Sequence, residues 1–534
     1  MPIHNLITFL PIYYVYLLEL NFFLLIIALI FNFKYIKEIL TRIERKSLIF
    51  LISISVAGMF TTSFIAPRIH RIFYDEDIYN NIGQCIAQHK RAVVCNEGYY
   101  ENNELTVVAE EYNKQPQGYP YLISVVFRIF GTNELFIFIL NNLIYGLMAF
   151  VIFLIVYLLF NDTFAGLAAS LSYILIPVNL HWFNTCAVEP STTFFSSMAI
   201  LAALVYLKNK KPVNLFLLTT AMAFSFNFRA ESFLIFPVIG LLFLLKDIGI
   251  FKRKELYIFG VLLVLLSSGI ALHTYAMKNQ SWGASGPKFS IDYLSHNFHT
   301  NSIFYLNNKA FPLLFTIFSI TGLLFYKYRD YIKEKIFILS WFLVFCGIFL
   351  FFYAGSYKFG QDVRFSILSY APISIFVGLG ISFIKNLLEV RVKPIALILV
   401  SLVIYNFIWF LPFVRAEGRE AWEARTGHKY VVEFAELLPE NSIIFTHTPS
   451  VFLLHKKSAL QSSIASYNPG TVERLRERFK GGVFIDYNYW SNVNDPQQRG
   501  YTEYILNNYN YELIREYRRE NYKYALYEII NRKE

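Results

Sequence analysis

The stretch FYDEDIYNN, Phe73 to Asn81, sets three acidic residues in a row, Asp75, Glu76 and Asp77, directly after the second long apolar run of the chain. Aromatic residues bracket them. What such a cluster can do depends on which side of a membrane it faces, so topology is read first. The chain has 534 residues, 55% hydrophobic and 18% aromatic, with only 16% charged. Soluble domains carry about 25% charged residues. Apolar runs of the ~20 residues needed to cross hydrocarbon recur along most of the chain, which makes it a polytopic membrane protein.

The net charge of +10 comes mostly from basic residues in short loops between apolar runs. That pattern orients a membrane protein and does not describe a nucleic-acid surface. The first apolar segment lacks a basic leader and an A-x-A-like site, so it reads as a retained helix. Twelve spans are expected, at roughly 10–32, 48–66, 134–158, 164–180, 191–207, 213–228, 231–245, 256–275, 310–326, 336–354, 366–384 and 395–413. Under these spans the clusters Lys34–Lys46, Lys208–Lys211, Lys246–Lys254, Lys327–Lys335 and Lys385–Lys393 all fall on one side, the cytoplasm by the positive-inside rule.

Segments 67–133, 276–309 and 415–534 then lie outside. In the first of them Asp75 suits an N-cap, with Ile78, Ile82, Cys85 and Ile86 at helical spacing behind it. This predicts a short amphipathic helix on the bilayer surface. A second helix, Tyr119 to Phe130, follows the breaker-rich QPQGYP and stops at Gly131; it is short for a span and reads as interfacial or re-entrant. Cys85 and Cys95 share this loop and can pair in an oxidising compartment, while Cys186 and Cys346 lie in or beside membrane runs. Beyond Arg415 charge rises. Helical periodicity over 424–438 and 471–482, and strand patterns at SIIFTH (442–447), VFIDYNYW and the final ELIREYR…YKYALYEII, predict an extracytoplasmic α/β domain. The expected units are thus 1–47 (first helix and cytoplasmic loop), 48–414 (membrane catalytic unit) and 415–534.

On one helix Asp75 and Asp77 point about 200° apart, so they do not share one proton or one ion. A second acid on the outer side, Glu189, stands just before Pro190 in HWFNTCAVEPSTTFF. Carboxylates at a partly desolvated membrane face gain basicity and suit general-base work, although a first-turn Glu also simply complements a helix dipole. Three cations face the same compartment: Lys114, Arg229 and Arg364. Cations at headgroup depth suit a phosphate. Their structural alternative is pairing of Arg229 with Glu231 and of Arg364 with Asp362, with Lys114 reaching to the interface. Glu19, inside the first span, stands alone.

These motifs resemble, in order, those of GT-C-fold glycosyltransferases of the protein O-mannosyltransferase and aminoarabinose-transferase type (PMT/ArnT-like). The first-loop [FY]-D-E-x-x-Y is similar to Tyr74 through Tyr79, and the K-P-P-like segment to Lys114-Gln115-Pro116, with Phe130-Gly131 behind it. The second acid matches Glu189, R-x-E matches Arg229 and Glu231, and R-[YF]-x-L-x-x-x-P matches Arg364 through Pro372. The resemblance implies an inverting sugar transfer from a polyprenyl-phosphate donor to a hydroxyl of a protein, lipid or polysaccharide acceptor. It makes Asp75 the base, with Glu76 and Glu189 the other catalytic candidates. Asp77, Tyr79, Lys114, Arg229 and Arg364 become substrate-binding candidates, the cations for the donor phosphate. Glu189 stands where Asp is common, and Gln115 separates Lys114 from Pro116.

Asp75-x-Asp77 also resembles a metal-binding DxD. No third oxygen ligand stands at a readable spacing, so no cofactor is expected, a divalent cation being the alternative. A transporter of a lipid-linked saccharide would place its charges at the midplane, often within inverted repeats; here they gather at one face and no repeat is visible. A polymerase or ligase of the O-antigen type places its large outer loop late between spans, whereas here it comes early. The expected location is the plasma (inner) membrane, with the catalytic loops and C-terminus outside.

Overall fold

The computed structural model describes residues 3–72, 74–101, 104–280, 286–306, 311–327, 329–357, 361–389, 394–415, 422–492, 495–519 and 521–534. Its helices run α1 Ile3–Thr41, α2 Arg45–Ile65, α3 Asp75–His89, α4 Gly118–Phe130, α5 Leu135–Phe160, α6 Thr163–Ile174, α7 Pro177–Trp182, α8 Glu189–Lys208 and α9 Pro212–Phe226. They continue with α10 Ile235–Lys246, α11 Lys254–Leu266, α12 Ser268–Ala276, α13 Leu294–Leu306, α14 Leu313–Phe325, α15 Ile332–Leu350, α16 Tyr370–Leu388, α17 Ile395–Arg415, α18 Trp422–Leu437 and α19 Pro449–Leu454.

Among the described residues, six helical segments are long and apolar enough to cross a membrane, or seven when α11 and α12, bent by 44°, are counted as one span. They present bare apolar side chains outward, among them Phe64 at 78% and Trp409 at 67% exposure, as a lipid-facing surface does. Twelve spans are therefore not established. The remaining expected positions hold helices of 12 to 19 residues: α6, α9, α10, α14 and α15. Proline and polar breaks shorten several of them. Pro177 follows the end of α6, Pro212 opens α9 and Pro312 precedes α14. A 12-residue helix is about 18 Å long against about 30 Å of hydrocarbon, and such pieces are tolerated where protein surrounds them. Close packing supplies that surround. A Cβ on Gly322 of α14 would meet the Phe376 carbonyl of α16 at 2.1 Å, so only glycine lets those backbones touch.

A seven-stranded sheet sits beside the bundle, in the order β2-β1-β4-β3-β5-β7-β6. Its strands are β1 Val94–Glu101, β2 Glu104–Glu111, β3 Ile443–Thr446, β4 Ser458–Gln461, β5 Val483–Tyr487, β6 Tyr509–Arg519 and β7 Tyr522–Arg532. The centre, β4-β3-β5, is parallel, and β3 is buried along its whole length. The strands expected near 442–447, 483–490 and the C-terminus are present. The β1–β2 hairpin is a finding beyond the sequence reading: it comes from the segment between α3 and α4 and pairs onto β4, so one sheet takes strands from both segments.

This changes the surroundings of α3. It does not lie bare on a bilayer surface, because Glu76, Tyr79, Ile82, Gln84, Cys85 and Ile86 are all buried. Gln84 Nε2 donates to the Leu453 carbonyl at 3.1 Å, joining α3 to α19. Cys85 and Cys95 are free thiols in one apolar cluster. α4 is a 13-residue apolar helix ending at Gly131, whose φ of +84° makes glycine the natural stop. Glu19 is not isolated: it pairs with Lys90 at the end of α3 and with Arg128 Nη1 of α4 at 2.8 Å, fastening α1 to both helices.

Candidate active site

Tyr74, not Asp75, is the N-cap of α3, in a left-handed conformation at φ 67°. A non-glycine residue held there costs of order 1–3 kcal/mol and marks an over-determined turn. The three acids thus fill the first helical turn, where carboxylates complement the dipole. They point to different places.

Asp75 is half-buried. Burial pushes its carboxyl above the usual range; Arg364 opposes this most, Glu189 reinforces it, and Lys114 and Arg229 pull it back down. The charges of Glu189, Lys114, Arg229 and Arg364 thus all act on Asp75, which groups the five residues around one site. Glu189 is fully buried at the start of α8. Its Oε1 accepts from Arg229 Nη1 at 2.5 Å and lies 3.5 Å from Arg364 Nε. Arg229 also reaches Glu231, with Nε at 3.2 Å and Nη2 at 3.0 Å. Both guanidinium carbons lie over the ring of Phe365, at 5.2 Å for Arg229 and 5.0 Å for Arg364. Tyr79, one turn after Asp75, is buried and meets Tyr119 edge-on, with centroids 5.6 Å apart. Lys114 is held near by its backbone: His273 Nε2 lies 3.1 Å from its carbonyl, and Gly118 N donates to the Asn227 carbonyl at 2.8 Å.

Glu76 faces elsewhere. Its Oε1 accepts from the backbone N–H of Arg71 (2.6 Å) and Ile72 (2.9 Å), and its Oε2 from that of Cys186 (2.7 Å). It braces the loop before α3 against the turn before α8. Asp77 also leaves the Asp75 group. Its Oδ1 lies 3.2 Å from His70 Nδ1 and accepts from His428 Nδ1 at 3.1 Å. Burial works against its charge, yet His70 and His428 hold the carboxyl well below the usual range.

Sequence reasoning missed His70, Glu134 and His428, whose donor atoms all lie within 4.8 Å of one another and have the character of metal ligands. Their positions in the chain give no spacing to read. It also missed the platform role of Phe365, although the R-[YF] pair was in view.

The family model described as dolichyl-phosphate-mannose-protein mannosyltransferase matches residues 114–271. ArnT from Cupriavidus metallidurans bound to undecaprenyl phosphate superposes with a TM-score of 0.58 at 11% identity, over 91% of this chain and 98% of that one. The archaeal oligosaccharyltransferase AglB from Archaeoglobus fulgidus, in complex with an inhibitory peptide and a dolichol-phosphate, gives 0.52 at 13% identity, over 89% of this chain and 74% of that one. The Archaeoglobus fulgidus oligosaccharyltransferase in complex with Zn and sulfate gives 0.52 at 14%, over 82% and 68%. No curated relative matches the chain. The chain therefore shares the fold of ArnT along nearly its whole length, and its centre matches the mannosyltransferase family model.

Proposed function

We propose that the protein is a membrane glycosyltransferase moving a sugar from a polyprenyl-phosphate donor to an acceptor hydroxyl on the extracytoplasmic side. The observation that carries this reading is the gathering of Arg364, Glu189, Lys114 and Arg229 around Asp75. Asp75 takes the acceptor's proton as the new glycosidic bond forms. The bond from the anomeric carbon to phosphate oxygen breaks, and the polyprenyl phosphate leaves with both electrons. Displacement by an acceptor opposite the leaving group inverts the anomeric centre.

Charge grows on the leaving phosphate, and preorganised cations stabilise it. Arg364 Nε and Nη1 and Glu189 Oε2 are buried without a hydrogen-bond partner among the described residues, which suits groups waiting for substrate oxygen atoms. Tyr79 lines the approach to Asp75. The three cations do the work a metal would do on the phosphate, so we place no metal ion in this step. Glu76 supports the site by holding its walls. The basic loops support a site on the outer face of the plasma membrane. On this reading 48–414 is the catalytic unit and 415–534 an outer domain completed by the β1–β2 hairpin.

Asp75→Asn tests the assignment. In membranes supplied with a polyprenyl-phosphate sugar it is expected to abolish transfer while the chain stays inserted and folded. Full activity in that variant removes Asp75 from the role.

A further inference from the structure

On the other face of α3 from Asp75, four ionisable side chains meet that the transfer step does not use: His70, Asp77, Glu134 and His428. They come from four elements: the loop before α3, its first turn, the residue preceding α5, and α18. The two imidazoles lie face to face, with centroids 4.0 Å apart and 25° between their planes. Their Nδ1 atoms both face Asp77, at 3.2 and 3.1 Å, and their Nε2 atoms both face Glu134, at 3.2 and 3.3 Å. The arrangement is therefore two-sided: one carboxylate spans the Nδ1 edge and the other spans the Nε2 edge.

We propose that His70 Nε2, His428 Nε2 and Glu134 bind one divalent transition-metal ion, Zn²⁺ by preference, and that Asp77 orients both imidazoles from behind. On the Glu134 side each Nε2 faces its own carboxylate oxygen, Oε2 for His70 and Oε1 for His428, at separations that suit neighbouring ligands. With metal–nitrogen and metal–oxygen bonds of about 2.1 Å, the edge of a tetrahedral site is about 3.4 Å. His70 is 2% exposed, and neither of its ring nitrogens makes a hydrogen bond among the described residues; nor does Glu134 Oε2. Buried polar atoms 3.2 Å apart that do not hydrogen-bond one another behave as neighbouring ligands of a third atom. One ligand atom from each of His70, Glu134 and His428 lies within 4.8 Å of the other two. Asp77 then holds the Nδ1–H of each ring, the carboxylate–histidine–metal relay that fixes tautomer and ring direction.

The donor set of two histidines and one glutamate leaves a fourth position. Beside it lies a cavity of about 370 Å³ lined in part by Arg68, Phe138, Thr426 and Lys429, roomy enough for a water or a small anion. Loading the ion releases any proton carried on Nε2 to solvent, and nothing else changes hands. Asp77 and Asp75 point to opposite sides of α3, so the ion does not touch the transfer site. Its effect is positional: it fastens α18, the entry to the outer domain, to the rim of the bundle and fixes the first turn of α3.

The test uses the full-length chain without a histidine tag, in detergent, and reads metal rather than activity, so it stands or falls separately from the glycosyltransferase reading. Elemental analysis of protein purified without chelator is expected to find about one Zn²⁺ per chain. After EDTA stripping, added Zn²⁺ should rebind and slow hydrogen exchange in α18 and residues 67–72 by about tenfold or more. His428→Ala and the milder Glu134→Gln should lose the ion, Asp77→Asn should weaken it about 10–100-fold, and Asp75→Asn should keep it. A wild-type chain that holds no stoichiometric metal, and whose exchange does not respond to Zn²⁺, overturns the proposal. So does undiminished binding in both ligand variants, which would place the ion elsewhere.

Discussion

Glu189 Oε1 lies between two guanidinium groups, 2.5 Å from Arg229 Nη1 and 3.5 Å from Arg364 Nε. The two arginines are not equivalent. Arg229 is also tied to Glu231 through two further nitrogens, whereas Arg364 keeps two buried nitrogen atoms without a hydrogen-bond partner among the described residues. Arg364→Ala should therefore act mainly on the reaction, lowering the transfer rate by about 10²-fold or more. Arg229→Ala should lower the rate and the stability together, because it strips the counter-ion from a buried Glu189 at a cost of about 3–5 kcal/mol. Transfer assays paired with thermal unfolding in detergent separate the two. Equal loss of stability in both variants would contradict the distinction.

The same charges set the pH dependence. Burial and Glu189 raise the Asp75 carboxyl, while Arg364, Lys114 and Arg229 lower it. A base must be deprotonated, so kcat/KM should fall on the acid side as pH drops through the raised value, above the ordinary carboxylate range of about 4. Replacing Arg364 with Gln removes the strongest opposing charge and should move that acid limb up by about one pH unit or more. Replacing Glu189 with Gln removes a like charge and should move it down. Shifts of the same sign in both variants would refute the electrostatic account.

Much of this was legible in the sequence because membrane insertion imposes local rules. Apolar length locates helices. The Asp75, Glu189, Arg229 and Arg364 motifs could be picked out singly because each stands at a break between apolar runs. What escaped was set by long-range packing. The β1–β2 hairpin looked like loop because its residues, VCNEGYYE and ELTVVAEE, are polar outside the context of β4. Asp77 read as a substrate-binding candidate because it stands in the same acidic run as Asp75, while its partners, His70 and His428, come from the preceding loop and from α18. Glu76 read as a catalytic candidate because it belongs to the first-loop motif that carries the resemblance, and here its carboxylate accepts from three backbone N–H groups.

Gly118 links the Lys114 loop to the turn that carries Arg229. Its N–H donates to the Asn227 carbonyl at 2.8 Å, and a Cβ at this position would lie 2.5 Å from that same oxygen. Backbone on both sides leaves nothing flexible to yield. Gly118→Ala should push the Lys114 segment away from Arg229 and reduce transfer at least tenfold, since a displacement of about 1 Å can cost 10²-fold. Gly240 has open space around the same added atom. Gly240→Ala is the control and should retain wild-type rates in the same membrane assay; similar losses in both would show general fragility.

Asp486 of β5 carries the last prediction. It is fully buried, its Oδ2 accepts from Thr446 Oγ1 at 2.8 Å and Asn488 Nδ2 at 2.9 Å, and its Oδ1 has no hydrogen-bond partner among the described residues. Burial raises this carboxyl to about 6. Because the folded value lies above the unfolded one, the folded state prefers the protonated form. Its contribution is fully present below pH 4 and is lost as pH rises through 6. A shift of that size corresponds to about 3 kcal/mol at most. Asp486→Asn is neutral at every pH and keeps an oxygen to accept from Thr446 and Asn488. It should stabilise the seven-stranded sheet by about 1–3 kcal/mol at pH 8 and by little at pH 4. Hydrogen exchange of the β5 amides in the intact chain, followed across that range, reads the gap directly. A difference between the two proteins that does not change with pH would mean that Asp486 is already neutral or already satisfied in the folded sheet.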